Sequence, residues 1–184
     1  MSRPAAIAGA AIDYVLFQLA WFGCVEFAAQ GRPWPGIGAV AAFVALQVGR
    51  SPRRSVDVAL IGIALAVGVS WDSALLQTGV VRYQSPGPVA GMAPAWILAL
   101  WVELAAVLRG PLRTLHERPA ISAVLGGIGG PASYAAAARL GACAFPDRQV
   151  ALAVLAVGWA IITPLLLEAA RRLDRSAAPC GAVP

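Results

Sequence analysis

Residues 56–76 read VDVALIGIALAVGVSWDSALL, with nothing ionisable between Asp57 and Asp72. A helix rises 1.5 Å per residue, so a run of this length covers about 30 Å, the thickness of a bilayer's hydrocarbon layer. Five more apolar runs share the chain with it, near Ala5–Ala29, Trp34–Val48, Pro94–Leu108, Pro119–Ala144 and Val150–Ala170. The runs from Trp34 and Pro94 are short, at about 15 residues. Each would need tilt or snorkelling arginines such as Arg50 and Arg109 to span. Proline-bearing turns precede both, Gly31-Arg32-Pro33-Trp34-Pro35-Gly36 and Ser85-Pro86-Gly87-Pro88.

Composition agrees with that reading. Of 184 residues 59% are hydrophobic and 12% charged, with a mean hydropathy of +0.73. Soluble domains carry about twice that share of charge. The balance excludes a disordered chain, a nucleic-acid-binding domain and an ordinary cytosolic enzyme. The expected fold is all-α, a polytopic bundle of six spans. Residues 1–173 would form a single transmembrane domain and residues 174–184 a flexible cytoplasmic tail. The first run resembles a signal peptide, but its length, Asp13 in its middle and the lack of an A-x-A site favour a retained anchor.

The 14 basic residues are all arginines. With the N-terminus inside, the inner face collects Arg3, Arg50, Arg53, Arg54, Arg109, Arg113, Arg118, Arg171, Arg172 and Arg175. Arg32, Arg82, Arg139 and Arg148 fall at the outer ends. This bias places both termini in the cytoplasm. No cofactor or metal is expected: His116 is the one histidine, there is no lysine for a Schiff base, and Cys24, Cys143 and Cys180 make no CxxC pair. Whether Cys24 and Cys143 pair across the outer halves of helices one and five stays open. No HExxH, GxSxG or P-loop motif is present, and His116-Glu117-Arg118 reads as a solvated charged turn.

Several phrases resemble a family of small bacterial inner-membrane proteins of unknown function. They are Trp21-Phe22-Gly23-Cys24-Val25, the turn from Gly31 to Gly36, Leu100-Trp101, Gly129-Gly130-Pro131-Ala132-Ser133-Tyr134, Arg139-Leu140-Gly141-Ala142 and Trp159-Ala160 before Pro164. The chain departs from that pattern at Asp13, where the pattern has Asn, and at Glu103, where the pattern has an apolar or aromatic residue. The resemblance implies a multi-pass protein of the bacterial inner membrane. It also implies membrane lipids as partners, with other membrane proteins or lipid-modifying enzymes beside them and no nucleic acid.

Ionisable groups inside a bilayer are costly and normally face the bundle interior. Asp13 and Glu103 are expected deepest. Glu103 lies nine residues beyond Pro94 and should point inward near the midplane. Glu26, Asp72 and Arg139 come near outer ends and could form a polar pocket or a structural ion pair. Those five, with Tyr134, are the ligand-binding candidates. Gly126, Gly130, Ser133, Ala137 and Gly141 share one stripe of helix five and read as helix-packing positions. Pro131 and Pro164 invite local breaks, and Trp34, Trp71 and Trp96 read as interface anchors.

The leading functional expectation is a non-catalytic lipid-handling or accessory protein linked to membrane-lipid modification. The alternatives are a small permease coupled through Glu103 or Asp13, and an intramembrane lipid-modifying enzyme built on the outer charges. Topology is directly measurable. Reporter fusions at the C-terminus and near Ser51 should report cytoplasm and one near Gly87 the outside, whereas an external C-terminus would rule out six spans.

Overall fold

Proline, glycine and one aspartate set the ends of the helices. The structure is a computed structural model that describes residues 3–177. Helix α1 (Arg3–Ala29) gives way to a turn through Gly31 at φ +72°, and α2 (Pro33–Arg50) starts on a proline, whose missing N–H costs nothing in a first turn. Helix α3 (Arg54–Gln77) leads to strand β1 (Arg82–Tyr83), and α4 (Ala95–Leu108) follows Pro94. A five-residue 3-10 turn, Pro111–Leu115, leads into α5 (Pro119–Leu140). Gly141 closes α5 at φ +90°, a conformation that L side chains rarely adopt. After strand β2 (Cys143–Ala144) comes α6 (Arg148–Ser176), capped by Asp147, whose Oδ1 accepts from the amides of Gln149 at 2.9 Å and Val150 at 3.1 Å.

Six α-helices are present, and four of them contain segments long and apolar enough to cross a membrane: Ala11–Ala29, Arg54–Gln77, Pro119–Leu140 and Arg148–Ser176. Helix α4 is a shorter apolar helix. Leu19, Val124, Ile128, Val157, Ile161 and Leu165 are each more than half exposed. A water-soluble protein would not leave so much apolar surface uncovered, so this belt suits hydrocarbon.

The helices pack as three hairpins, α1/α2, α3/α4 and α5/α6. Helix α2 meets α4 more extensively than α3, and α3 meets α6, which gives the order α1, α2, α4, α3, α6, α5 around the bundle. The contact between α1 and α5 that closes the ring is sparse. Strands β1 and β2 pair antiparallel, Arg82 with Ala144 and Tyr83 with Cys143, and tie the α3–α4 loop to the α5–α6 loop.

Several expectations need correction. Helix α5 stops at Leu140 and not Ala144, because Gly141 turns the chain. Helix α6 runs past residue 173 to Ser176, held by ion pairs of Asp174 with Arg109 and Arg53. Residues 174–176, expected in the tail, are therefore helical, and residues 178–184, Cys180 among them, lie outside the described residues. Both α5 and α6 stay helical through Pro131 and Pro164. Of the tryptophans, only Trp34 stands out from the surface; Trp71 packs on Gly158, and Trp96 is buried edge-on against Tyr83 at 5.9 Å. Cys24 and Cys143 are both free and buried.

The small-residue stripe does not meet a single partner. A Cβ on Gly126 would strike Thr163 and the Trp159 carbonyl, and one on Gly130 would strike the Trp159 ring, so both admit α6. Ala137 is buried, Ser133 opens toward α1 and α4, and Gly141 lies beyond the helix with open space around it. Gly130→Leu should therefore destabilise the bundle by at least the 1–3 kcal/mol typical of overpacking. Leu125→Ala, at a half-exposed position, should change little. Thermal unfolding in detergent measures the difference, and equal melting of the two variants would contradict this packing.

Candidate functional site

Asp72 sits on the buried face of α3 with Asp57, Leu60, Ala64, Gly68 and Leu75. It is 0% exposed. With no water in reach, its carboxylate must take its hydrogen bonds from the protein. The Trp101 indole of α4 donates to Oδ2 at 2.5 Å, the Tyr83 hydroxyl of β1 donates to Oδ1 at 2.5 Å, and the Tyr134 hydroxyl of α5 donates to the same oxygen. Two phenols and an indole each direct a donor at Asp72, the complement of a carboxylate that accepts. Burial, with Asp72 alongside, pushes the Tyr83 hydroxyl well above the usual phenol range and keeps its proton in place as the donor.

Small residues and stacked rings make the cage possible. Gly68, one turn before Asp72, leaves the space that the Trp101 ring fills. The same ring stacks on Trp159 of α6 at 4.9 Å and 13°, and Gly130 accommodates Trp159 from the other side. Four helices thus converge on one carboxylate through two indoles, each seated on a glycine.

Beside the cage, a groove of about 550 Å³ opens between α1, α4 and α5. Helix α1 lines it with Tyr14, Phe17, Gln18 and Trp21, and α4 with Ile97, Leu100, Trp101 and Leu104. Both sets repeat at i, i+3, i+4 and i+7, one face of each helix. Gly129, Gly130 and Ser133 of α5 supply a flat wall, and Trp159 joins them. The groove occupies the sparse seam of the ring.

Other candidates fall elsewhere. Asp13 is not deep: it pairs with Arg50 at the end of α2, at 3.4 Å. Glu26 accepts from Gln30 one turn on, at 2.9 Å, and Arg139 is exposed, so neither joins Asp72 in an outer polar pocket. An ion pair is unnecessary there because the aromatic donors already satisfy Asp72. Glu103 is 0% exposed, and both of its carboxyl oxygens lack a hydrogen-bond partner. Among the described residues, no three His, Cys, Asp or Glu side chains come together to hold a metal. Sequence reasoning did not single out Tyr83 or Trp101 as site residues. A tryptophan in a buried helix commonly seeks an acceptor, which could have pointed to Trp101, whereas nothing local distinguishes Tyr83.

The family model described as protein of unknown function (DUF2878) matches residues 10–165. No curated protein and no solved structure matches the chain.

The cage makes a graded prediction. Asp72→Leu strands three buried donors, each worth about 1–3 kcal/mol when unpaired, whereas Tyr134→Phe removes one donor at a cost of about 1 kcal/mol. Melting temperature in detergent should fall in the order Tyr134→Phe, Asp72→Asn, Asp72→Leu, with the last the least stable. A wild-type melting temperature for Asp72→Leu would show that the carboxylate is not a structural centre.

Proposed function

The chain belongs to the DUF2878 family, and we propose that it is a non-catalytic membrane component that holds an acyl chain of a membrane lipid in the α1/α4/α5 groove. The observation that carries this reading is the groove itself, apolar and aromatic along its length and flanked by the exposed belt residues Leu19 and Ile128. Lipid tails are as apolar as the groove wall, so burial alone gives no preference for entry. Selection rests on shape: flat rings of Phe17, Trp21 and Trp101 face a glycine wall where branched side chains would intrude. The membrane is taken as the bacterial inner membrane, with an accessory role beside lipid-modifying enzymes.

The intramembrane-enzyme alternative has less support, because Asp72 is enclosed by three donors and makes no ion pair with the exposed Arg139 among the described residues. The permease alternative keeps one specific observation. Glu103 is a buried carboxyl with no partner, as a proton-coupling group in a transporter would be between steps. Asp13, paired with Arg50, no longer serves that reading.

A phospholipid with a photoactivatable diazirine in its acyl chain tests the proposal on the full chain in nanodiscs. Label should concentrate on α1, α4 and α5 residues of the groove, and Ala136→Trp, at a further α5 position that lines it, should narrow it and reduce labelling about tenfold at unchanged melting temperature. Label spread evenly over the lipid-facing belt would overturn it. Proteoliposome uptake abolished in Glu103→Gln would instead favour the permease.

A further inference from the structure

At the end of the bundle remote from the β ribbon, an open cleft of about 850 Å³ is lined by Arg53, Arg109, Arg113, Arg118, Arg171 and Arg175. Only two carboxylates, Asp174 and Glu117, share the lining. These arginines come from four separate segments: the α2–α3 turn, the end of α4, the α4–α5 connection and the end of α6. The fold brings them together.

Their positions are not explained by pairing. Asp57 and Asp174 fix the Arg109 guanidinium, Asp174 also holds Arg53, and Glu168 takes Arg171 through two hydrogen bonds, at 2.6 and 2.8 Å. Counting those partners, four carboxylates face six arginines. Arg113, Arg118 and Arg175 make no ion pair among the described residues. Helix dipoles favour Arg175, in the last turn of α6, but do not account for the rest. Arg53 and Arg118 occupy the N-cap positions of α3 and α5, where the helix end is itself positive and a cation is disfavoured. Like charges converging on one cleft repel, and an anion bound among them offsets that repulsion.

A second, smaller cavity adjoins the first and shares His116, Glu117 and Arg171 with it. Its other walls are mainly apolar, with Leu115, Pro119, Pro164 and Leu167. A polar basin continuing into an apolar crevice at the end of a helical bundle matches the build of a phospholipid, headgroup first. We infer that the arginine cleft binds a phosphate-type oxyanion, carried by an anionic lipid headgroup or by a free phosphate compound. Arg113, Arg118 and Arg175 are the free donors, and Arg53, Arg109 and Arg171 are held in place around them. This site is separate from the acyl groove and does not depend on it.

The test uses the full chain in nanodiscs of phosphatidylcholine with or without phosphatidylglycerol. Phosphatidylglycerol retained by the protein is counted by native mass spectrometry after transfer to detergent. Arg113→Gln/Arg175→Gln should retain about tenfold less than wild type. Arg50→Gln/Arg54→Gln removes the same charge from the same end, at residues that neither line the cleft nor share a carboxylate with its arginines, and should retain as much as wild type. In a second arm, inorganic phosphate is compared with chloride at equal ionic strength in phosphatidylcholine alone. A melting temperature raised by phosphate in wild type and not in the cleft variant assigns the site to a soluble phosphate. Loss of lipid retention without that rise assigns it to a headgroup. Equal behaviour of the two double variants in both arms would overturn the proposal. Arg113 and Arg175 are exposed and make no ion pair among the described residues, and the single variants, each expected to lose about threefold, carry the same test should the double variant fail to fold.

Discussion

A carboxylate removed from water must be met by donors, and the requirement of Asp72 organises the bundle. Its three donors arrive from a strand and two helices, so the α3/α4 hairpin, the ribbon and α5 are correctly placed only together. Trp101 then transmits the constraint to α6 by stacking on Trp159. The glycines at positions 68 and 130 follow from this, since any larger residue would occupy the volume of an indole. In a bilayer, where apolar surfaces gain little by meeting each other, a polar centre of this kind supplies what hydrophobic burial cannot.

Most of the helical layout was legible from hydropathy and from proline and glycine punctuation. The six apolar runs correspond to the six helices, because a helix in hydrocarbon must satisfy every backbone group internally and has little freedom about where to stop. What was not legible depended on rotation and on distant partners. Trp71 and Trp96 fall at the height of an interface, yet they face inward toward Gly158 and Tyr83. Asp13 falls in the middle of an apolar run, yet α1 extends far enough that its carboxylate reaches Arg50. Asp72 and Tyr134 were singled out separately, but 62 residues part them and the ribbon that aligns the loops has no local signature.

The two ends of the bundle solve electrostatics differently. Near the ribbon, neutral aromatic donors satisfy one isolated acid, while the opposite end gathers arginines in excess of its carboxylates. Between them lies Glu103, enclosed and without a partner. Polar demand is therefore met at one end, exceeded at the other and left unanswered in the middle, and both cavities of functional interest lie where the packing is least complete.

The order of helices around the ring has a consequence for biogenesis. Helix α3 is made before α4 and α5, so Asp72 enters the membrane ahead of every group that will later surround it. Tyr83 and Trp101 follow within about thirty residues of synthesis, but Tyr134 arrives only when α5 does. The last helical hairpin to emerge thus seals a polar defect left by the second. Its closing element is the ribbon, which forms only once Cys143 and Ala144 have left the ribosome. Until then, the loop that carries Tyr83 has no strand to pair with.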